Sequence, residues 1–480
     1  MGVIPPGFSR VISHPDPLTG RHVVVLGIAR QGKALARWLP QIGARVTLSD
    51  SRPAEALTDV LADLAGAPIE YVLGGHPLEL LDTCDVLCVS GGVPLTLPVV
   101  QEAMRRGIRV TNDAQLFLER CPAPVLGITG SAGKTTTTAL VGAMGRTAGR
   151  QTYVGGNIGD VLLDVLPQIA PDDCVVMELS SFQLELMTVS PTVAAVLNVT
   201  PNHLDRHGTM DAYRAAKAQV YLHQQPYEVT VFGWDDPNAC HMASDAPGRV
   251  AYFSMERKVI SGAYLDGDDL LVTAGDSAPG HAFEVVCRRD VIRLRGDHNV
   301  LNTLAACAVA GAAYVPVDAM RRAIASFTGV EHRLETVATL DGVTWVNDSI
   351  ATAPERVVAA LHSYRGPVVL LAGGRDKNLP WDTMAALAVT TCRAVIAFGE
   401  YGPQVAEHMH RAKLQDSGAV LQRVVLVEGL DQAVAAARQI GQPGDVVLLS
   451  PGGTSYDAYQ DFAVRGQHFR DLVRALVDRS

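Results

Sequence analysis

Gly130-Ser131-Ala132-Gly133-Lys134-Thr135-Thr136 is the stretch on which the reading of the chain turns. It follows the apolar run Pro124-Val125-Leu126-Gly127-Ile128-Thr129, which predicts a buried strand, and precedes 137–146, which predicts a helix. Strand, glycine loop and helix in that order form a phosphate cradle. Gly130 and Gly133 allow the tight turn that gathers N–H groups on one anion, and the helix N-terminus adds partial positive charge. Ser131, Ala132 and Thr136 complete the loop, Lys134 would reach the outer phosphates, and the Thr135 hydroxyl would hold magnesium. The plain alternative is a glycine-rich turn with a surface lysine, and the flanking strand and helix weigh against it. The strict P-loop spacing asks for glycine at 128, where Ile128 stands, so the loop points away from switch and motor ATPases.

Composition bounds what surrounds this loop. The 480 residues are 48% apolar and 19% charged, which suits a soluble enzyme of about three domains. A net charge of -10 with pI near 5.8, and no lysine or arginine stripe, argues against nucleic acid as a partner. The eight cysteines (84, 88, 121, 174, 240, 287, 307 and 392) form no Cys-x-x-Cys and fit a reducing cytoplasm. Met1-Gly2-Val3-Ile4-Pro5-Pro6 carries no export or myristoylation signal, and no apolar run approaches membrane-spanning length, so no membrane insertion is expected.

Upstream of the loop, His22-Val23-Val24-Val25-Leu26-Gly27 predicts a parallel strand entering the glycine turn Gly27-Ile28-Ala29-Arg30-Gln31-Gly32. The next strand, 44–48, ends at Asp50, the acidic position of a dinucleotide fingerprint. Alanine replaces the second glycine, which leaves open an NAD site, another nucleotide's diphosphate, or strand-to-helix packing. The strand 84–89 runs into Ser90-Gly91-Gly92-Val93-Pro94, again a small-residue loop at a strand's C-terminal end, where open α/β sheets bind ligands.

Downstream, 151–154 leads to Gly155-Gly156-Asn157-Ile158-Gly159, and 174–177 leads to Glu178-Leu179-Ser180-Ser181-Phe182-Gln183-Leu184-Glu185. Glu178 at the end of an apolar strand is placed either to hold magnesium or to cap a helix. The strand 193–197 ends in Asn198-Val199-Thr200-Pro201-Asn202-His203-Leu204-Asp205, where His203 is either structural or a metal ligand. A helix is expected over 211–224, with Lys217 as an ordinary surface lysine among alanines. Alternating strands and the turn Asp266-Gly267 over 248–296 predict a small antiparallel sheet, followed by a helix over 299–313. From Glu331-His332-Arg333 onward, strands at 343–346, 368–371, 394–398, 424–427 and 446–449 alternate with helices and predict a parallel sheet with right-handed crossovers. Three strand-end loops there are rich in functional groups: Asn347-Asp348-Ser349-Ile350-Ala351-Thr352, Gly373-Gly374-Arg375-Asp376-Lys377 and Ser450-Pro451-Gly452-Gly453-Thr454-Ser455-Tyr456.

In this order, the phosphate loop, Gly155 to Gly159, Glu178 to Glu185, Asn198 to Asp205 and Tyr213-Arg214-Ala215-Ala216-Lys217 resemble the Mur ligases, from about residue 22 to the end. The resemblance implies an α/β protein of three domains: a Rossmann-like domain for a UDP sugar (1–120), a central P-loop-type ATPase domain (121–330) and a C-terminal Rossmann-like ligase domain that closes over nucleotide and amino acid (331–480). It implies an ATP-dependent ligase of cytoplasmic peptidoglycan synthesis, acting as a monomer, that joins D-glutamate to UDP-N-acetylmuramoyl-L-alanine through an acyl phosphate. Other Mur ligases, a folylpolyglutamate synthetase type, or a relative using L-glutamate are the alternatives.

Carried over by position, Lys134 serves the β- and γ-phosphates, and Thr135, Glu178, His203 and a carbamylated Lys217 hold two magnesium ions. Asn302 and Arg333 serve the nucleotide and Asp348 its ribose. Asn157 serves the muramoyl peptide. Arg30, Gln31, Asp50, Ser90 and Gly92 grip the uracil nucleotide, and Lys377, Ser455, Tyr456 and Phe462 serve glutamate. Most of the glutamate-adding branch has a lysine after the Asn-Asp-Ser loop, where this chain has Ile350. Arg375, whose guanidinium pairs with carboxylate in two-pronged fashion, is expected to replace it.

Two other classes would use fewer of these residues. An NAD-dependent dehydrogenase needs only the first glycine turn and Asp50, and leaves Lys134, Glu178 and His203 without a task. A regulatory ATPase would hydrolyse ATP regardless of sugar or amino acid.

Overall fold

The structure is a computed structural model, and it describes residues 15–158, 161–273, 282–294, 296–364, 366–376, 379–416 and 418–477. Lys377 and Gly159, both named above, lie outside the described residues. The chain forms two compact units, divided between Phe327 and Thr328. The first holds two sheets and the second one, giving three α/β domains.

In the first sheet, β1 (His22–Leu26), β2 (Arg45–Asp50), β3 (Ile69–Leu73), β4 (Val86–Val89) and β5 (Arg109–Thr111) lie parallel in the order β3-β2-β1-β4-β5. The order reverses direction between β1 and β4, so the loops after these two strands are neighbours at a topological switch point. β1 and β4 are buried at every position and apolar throughout except for His22, whose ring nitrogens lie within hydrogen-bond distance of Thr83 and Thr47, as a strand covered on both faces requires.

The second sheet has nine strands: β6 (Val125–Thr129), β7 (Thr152–Gly156), β8 (Cys174–Glu178), β9 (Val193–Val196), β10 (Val229–Gly233), β11 (Arg249–Ser254), β12 (Gly262–Asp266), β13 (Asp269–Thr273) and β14 (Phe283–Arg288). Their order is β14-β13-β12-β11-β10-β9-β6-β8-β7. The small antiparallel sheet expected over 248–296 is therefore not separate. β11 and β12 extend the central sheet in parallel, and only β12, β13 and β14 pair antiparallel at its edge. Gly262 explains the join: its φ is +109°, and an added Cβ would stand 1.9 Å from the Tyr252 carbonyl oxygen, so only glycine lets β12 approach β11 this closely. The expected hairpin turn at Gly267 is present between β12 and β13.

The first two sheets share one apolar core, which runs from Val25, Trp38 and Leu39 through Phe117 to Val175 and Tyr221. Arg120 clamps the seam, stacking on Trp38 and donating to both carboxylate oxygens of Asp16 at 2.6 and 2.8 Å.

The second unit contains β15 (Glu335–Leu340), β16 (Val343–Asn347), β17 (Val368–Gly373), β18 (Cys392–Phe398), β19 (Arg423–Leu426) and β20 (Val446–Gly452), in the order β15-β16-β20-β17-β18-β19. The five expected strands are parallel. β15, which the alternation did not reveal, adds an antiparallel edge through a turn with positive φ at Asp341 and Gly342. Because the last strand inserts between β16 and β17, the three rich loops sit at the ends of three adjacent strands. No helix among the described residues is long and apolar enough to cross a membrane.

Candidate active site

The order β9-β6-β8-β7 sets four loops side by side at one end of the central sheet. The phosphate loop follows β6, and the helix after it begins at Lys134 rather than 137, because Gly133 caps it in the left-handed region at φ +82°. A Cβ there would also meet Asn302 Oδ1 at 2.3 Å, so Asn302 lies against the loop. Lys134 Nζ donates to the Gly130 carbonyl at 2.8 Å, and Thr135 is buried.

Asn198, at the end of β9, closes the loop. Its backbone carbonyl accepts from Ser131 N at 3.0 Å, its Oδ1 accepts from Ala132 N at 2.8 Å, and its Nδ2 donates to Ala132 O at 3.1 Å. The Ser131 and Ala132 amides are thus bonded within the fold of the loop. Asn198 had no assigned task in the sequence. An amide side chain at the next strand's end, able to donate and accept at once, was the available signal.

Glu178 ends β8 and is 2% exposed. Its Oε1 accepts from Asn157 Nδ2 at 2.9 Å, and its Oε2 is buried without a hydrogen-bond partner. Lys217 is the main correction to the sequence reading. It is 1% exposed rather than on the surface, on the helix Met210–Ala218, which ends six residues earlier than expected. Its Nζ donates to Thr129 Oγ1 at 3.3 Å and lies 4.7 Å from the Tyr213 ring centroid. Burial, with repulsion from Lys134, pulls its pKa down to about 7 against the opposing pull of Glu178. His203, exposed and at φ +53°, caps the short helix Leu204–His207 and stands 5.0 Å from the Phe182 ring.

No cluster of three or more His, Cys, Asp or Glu side chains suited to a metal occurs among the described residues. A magnesium site here would need the Thr135 hydroxyl and a carboxylate on Lys217 besides Glu178 and His203. The orphaned Glu178 Oε2 fits such a cation, because a buried carboxylate oxygen without a partner is otherwise costly.

At the switch point of the first sheet, Gly32 must be glycine, since a Cβ would stand 1.9 Å from the Gly27 carbonyl. Ser90 Oγ donates to that same carbonyl at 2.9 Å, tying the two expected nucleotide loops together. Gln31 is half-buried at the helix start, and Gly92 is exposed with open space around its Cα.

Asp50 faces inward. It accepts from Ile28 N at 2.8 Å, and Arg52 grips both its oxygens at 2.9 Å. Burial would raise its pKa, but the bonds from Arg52 and Ile28 hold it down at about 2. The carboxylate expected to touch a nucleotide directly thus fixes the glycine turn, and half-exposed Arg52 is the charge presented beside it. Arg30 also reaches the central domain: its Nη2 donates to the Gly156 and Asn157 carbonyls at 3.2 and 3.1 Å.

In the second unit, Asp348 is buried, accepting from Ser450 Oγ at 2.8 Å and from Leu334 N at 3.2 Å. Burial lifts its pKa to about 6 against those bonds. Arg333 is exposed. The Arg375 and Thr454 backbones bond reciprocally at 2.9 and 2.8 Å, joining the loops after β17 and β20. Arg375 Nε also donates to Glu400 at 2.8 Å. Ser455 is buried, whereas Tyr456 is 62% exposed. Ser349 Oγ donates to the Phe462 carbonyl at 2.8 Å. Arg465, which the sequence reading missed, is fully buried and binds Ser349 Oγ, Ser349 O and Gly453 O at 2.9 to 3.3 Å, bracing the loops after β16 and β20.

Comparison with known proteins covers the same three regions. The family model described as Mur ligase MurD-like, N-terminal domain, matches residues 21–112; Mur ligase middle domain matches 128–310; and Mur ligase, glutamate ligase domain, matches 332–453. A UDP-N-acetylmuramoylalanine--D-glutamate ligase of Symbiobacterium thermophilum is 42% identical over 94% of this chain and 97% of its own length. One of Pelotomaculum thermopropionicum is 39% identical over 95% and 98%. Among solved structures, the UDP-N-acetylmuramate-alanine ligase MurC of Thermotoga maritima superimposes with a TM-score of 0.52 at 18% identity, covering 95% of this chain and 99% of that one, which speaks to the fold alone.

Proposed function

The chain belongs to the Mur ligase family, and from that premise we propose that it joins D-glutamate to UDP-N-acetylmuramoyl-L-alanine at the expense of ATP. The observation that carries the mechanism is the juxtaposition of Lys134, Lys217 and Glu178 around the end of β6, with one Glu178 oxygen orphaned.

A carboxylate acylates poorly because its leaving group would be oxide. Transfer of the γ-phosphoryl group from ATP to the alanine carboxylate releases ADP and leaves an acyl phosphate. The glutamate amine then attacks the acyl carbon, and inorganic phosphate departs as the amide forms. Several anions meet in the first step, so fixed positive charge is what the site must supply. Lys134 Nζ, tethered 2.8 Å from the Gly130 carbonyl, is a cation held at the phosphate loop. Thr135, Glu178 and His203 would hold magnesium, in two ions by the family pattern, and that metal would supply further positive charge to the phosphates.

Lys217 fits a carbamate. With its pKa drawn to about 7, a large share of the amine is neutral near neutral pH, and a neutral amine can attack carbon dioxide, losing one proton to give a carbamate anion. That exchanges a repelled ammonium for an oxygen ligand.

Within the same proposal, 1–120 serves the nucleotide sugar with Arg30, Gln31, Ser90 and Gly92, 121–330 serves ATP with Asn302, and 331–480 supplies Arg333 and Asp348 for the nucleotide. Arg375, Lys377, Ser455, Tyr456 and Phe462 serve glutamate, and the enzyme acts as a monomer. A phosphate-release assay with UDP-N-acetylmuramoyl-L-alanine, ATP and a panel of amino acids tests it. Release that requires both the nucleotide sugar and D-glutamate is expected, and release independent of either would overturn it.

A further inference from the structure

The loop that follows β4 and the segment that carries His203 belong to different sheets of the first unit, yet one side chain joins them. Arg206 lies three residues after His203 in the helix Leu204–His207. Its Nη1 donates to Gly91 O and its Nη2 to Val93 O, both at 3.1 Å, so the two prongs straddle Gly92. A guanidinium holds two acceptors in a fixed plane, and here it adds to the turn bond from Val93 N to Ser90 O at 2.9 Å in fixing the orientation of the glycine loop.

The root of this fork is rigid. The Arg206 guanidinium lies over the Phe182 ring, 3.9 Å from its centroid. The same ring stacks on His207 at 5.4 Å and 9° and meets His203 edge-on at 5.0 Å. His207 Nε2 shares a hydrogen bond with Ser181 Oγ at 2.9 Å, and its Nδ1 lies 2.9 Å from a Glu185 carboxylate oxygen. Arg206, His203 and the segment after Glu178 are therefore joined through the Phe182 ring.

Both prongs of the fork end on backbone carbonyls of the loop after β4. We propose that Arg206 is a positioning residue: it sets the distance between the nucleotide-sugar loop at Ser90–Gly92 and the metal-side residues at His203, and so selects substrates whose carboxylate reaches the phosphate loop. This rests on the ligase reading above. The reason such a tie matters is geometric. The substrate is gripped at one end by the first sheet and phosphorylated at the other beside the second, and a misplacement of about 1 Å between reacting groups costs roughly a hundredfold in rate.

The test compares wild type, Arg206→Ala and Arg206→Lys in steady-state ligation, with nucleotide affinity from a fluorescent ATP analogue and melting temperature measured in parallel. For Arg206→Ala, kcat/KM for UDP-N-acetylmuramoyl-L-alanine should fall about a hundredfold while ATP affinity stays within about threefold, a shift far below the tenfold that 1.4 kcal/mol would give. Arg206→Lys should recover no more than about a tenth of the loss, since an ammonium lacks the fork. If the alanine variant does not fold, the lysine variant must still show the selective loss toward the sugar substrate. Unchanged kcat/KM for that substrate, or equal losses toward sugar and ATP that track the melting temperature, overturns the positioning role. A wild type that does not ligate at all would instead overturn the ligase reading.

Discussion

Asn157 donates Nδ2 to Glu178 Oε1 over 2.9 Å, and this single bond leaves the other oxygen of the same buried carboxylate without a partner. An unsatisfied buried polar atom costs on the order of 1–3 kcal/mol, more when charged, and a cation held at this oxygen, as proposed above, would offset that cost.

Glu178→Gln keeps the shape and removes the charge. Turnover should fall by roughly 10²- to 10³-fold, the range for losing one fixed electrostatic contact to the transition state. Melting temperature without ligands should hold or rise, because a buried charge has been removed. Activity within tenfold of wild type at saturating magnesium would reject Glu178 as a ligand.

The stability of the ligand-free protein should depend on Lys217 with a defined sign. Burial and Lys134 bring its pKa down to about 7 from 10.5. Between those values the unfolded chain carries a proton that the folded chain has shed, so stability rises with pH, and the full penalty is present below about 7. Urea unfolding in buffer freed of carbon dioxide should show a gain on the order of 2 kcal/mol from pH 7 to 9 that Lys217→Met lacks. Parallel slopes for the two proteins would show that the buried amine is not the source.

The proposed carbamate makes a separate prediction. Lys217→Ala would remove the proposed oxygen ligand but leave room where it stood, so short-chain carboxylic acids should restore turnover in a concentration-dependent way, while Glu178→Gln should not respond. No rescue, together with an unmodified mass for wild-type Lys217, would assign the residue a purely structural role.

Gly133→Ala strains the loop twice, through φ +82° and through the 2.3 Å approach of Asn302 Oδ1. A non-glycine residue in such a region costs on the order of 1–3 kcal/mol. Affinity for a fluorescent ATP analogue should drop at least tenfold, with binding of the nucleotide sugar retained. Equal loss of both would mean that the strain had spread beyond the loop.

The parallel strands were legible because strands buried on both faces are continuous apolar runs; β6, β8, β9 and β17 all read that way. The loops were legible because glycines and polar groups stood at their ends. Burial of Lys217 was not, since alanines on every side of a short helix do not reveal which face is covered. Nor was the inward turn of Asp50: a fingerprint position gives the residue type, while the partner that claims the carboxylate, Arg52, is decided in three dimensions. β12 joined the central sheet through a backbone approach that only Gly262 permits, a contact between segments ten residues apart. Arg206 and Arg465 were silent for a similar reason, because an arginine that will bind carbonyls looks, in sequence, like one that faces water.

Ile350 stands where the resemblance leads one to expect the lysine that most of the glutamate-adding branch has after its Asn-Asp-Ser loop, and a dicarboxylate still needs charge at its side chain. Arg375 is tied to the adjacent Thr454 through two backbone bonds, so its Cα is held beside the loop that leads to Ser455. In the ligand-free protein its guanidinium pairs with Glu400 at 2.8 Å, both groups being about half exposed. Such an exposed pair contributes about 0–1 kcal/mol, little enough for an arriving carboxylate to compete. Arg375→Ala should therefore raise KM for D-glutamate about tenfold or more, near the 1.4 kcal/mol of a lost charge contact, with kcat changed less. Glu400→Gln should lower that KM or leave it unchanged, because it releases the guanidinium. D-glutamate should be preferred over L-glutamate in wild type, with the preference narrowed in Arg375→Ala. A rise in KM below threefold for Arg375→Ala would leave Arg375 as nothing more than the surface partner of Glu400.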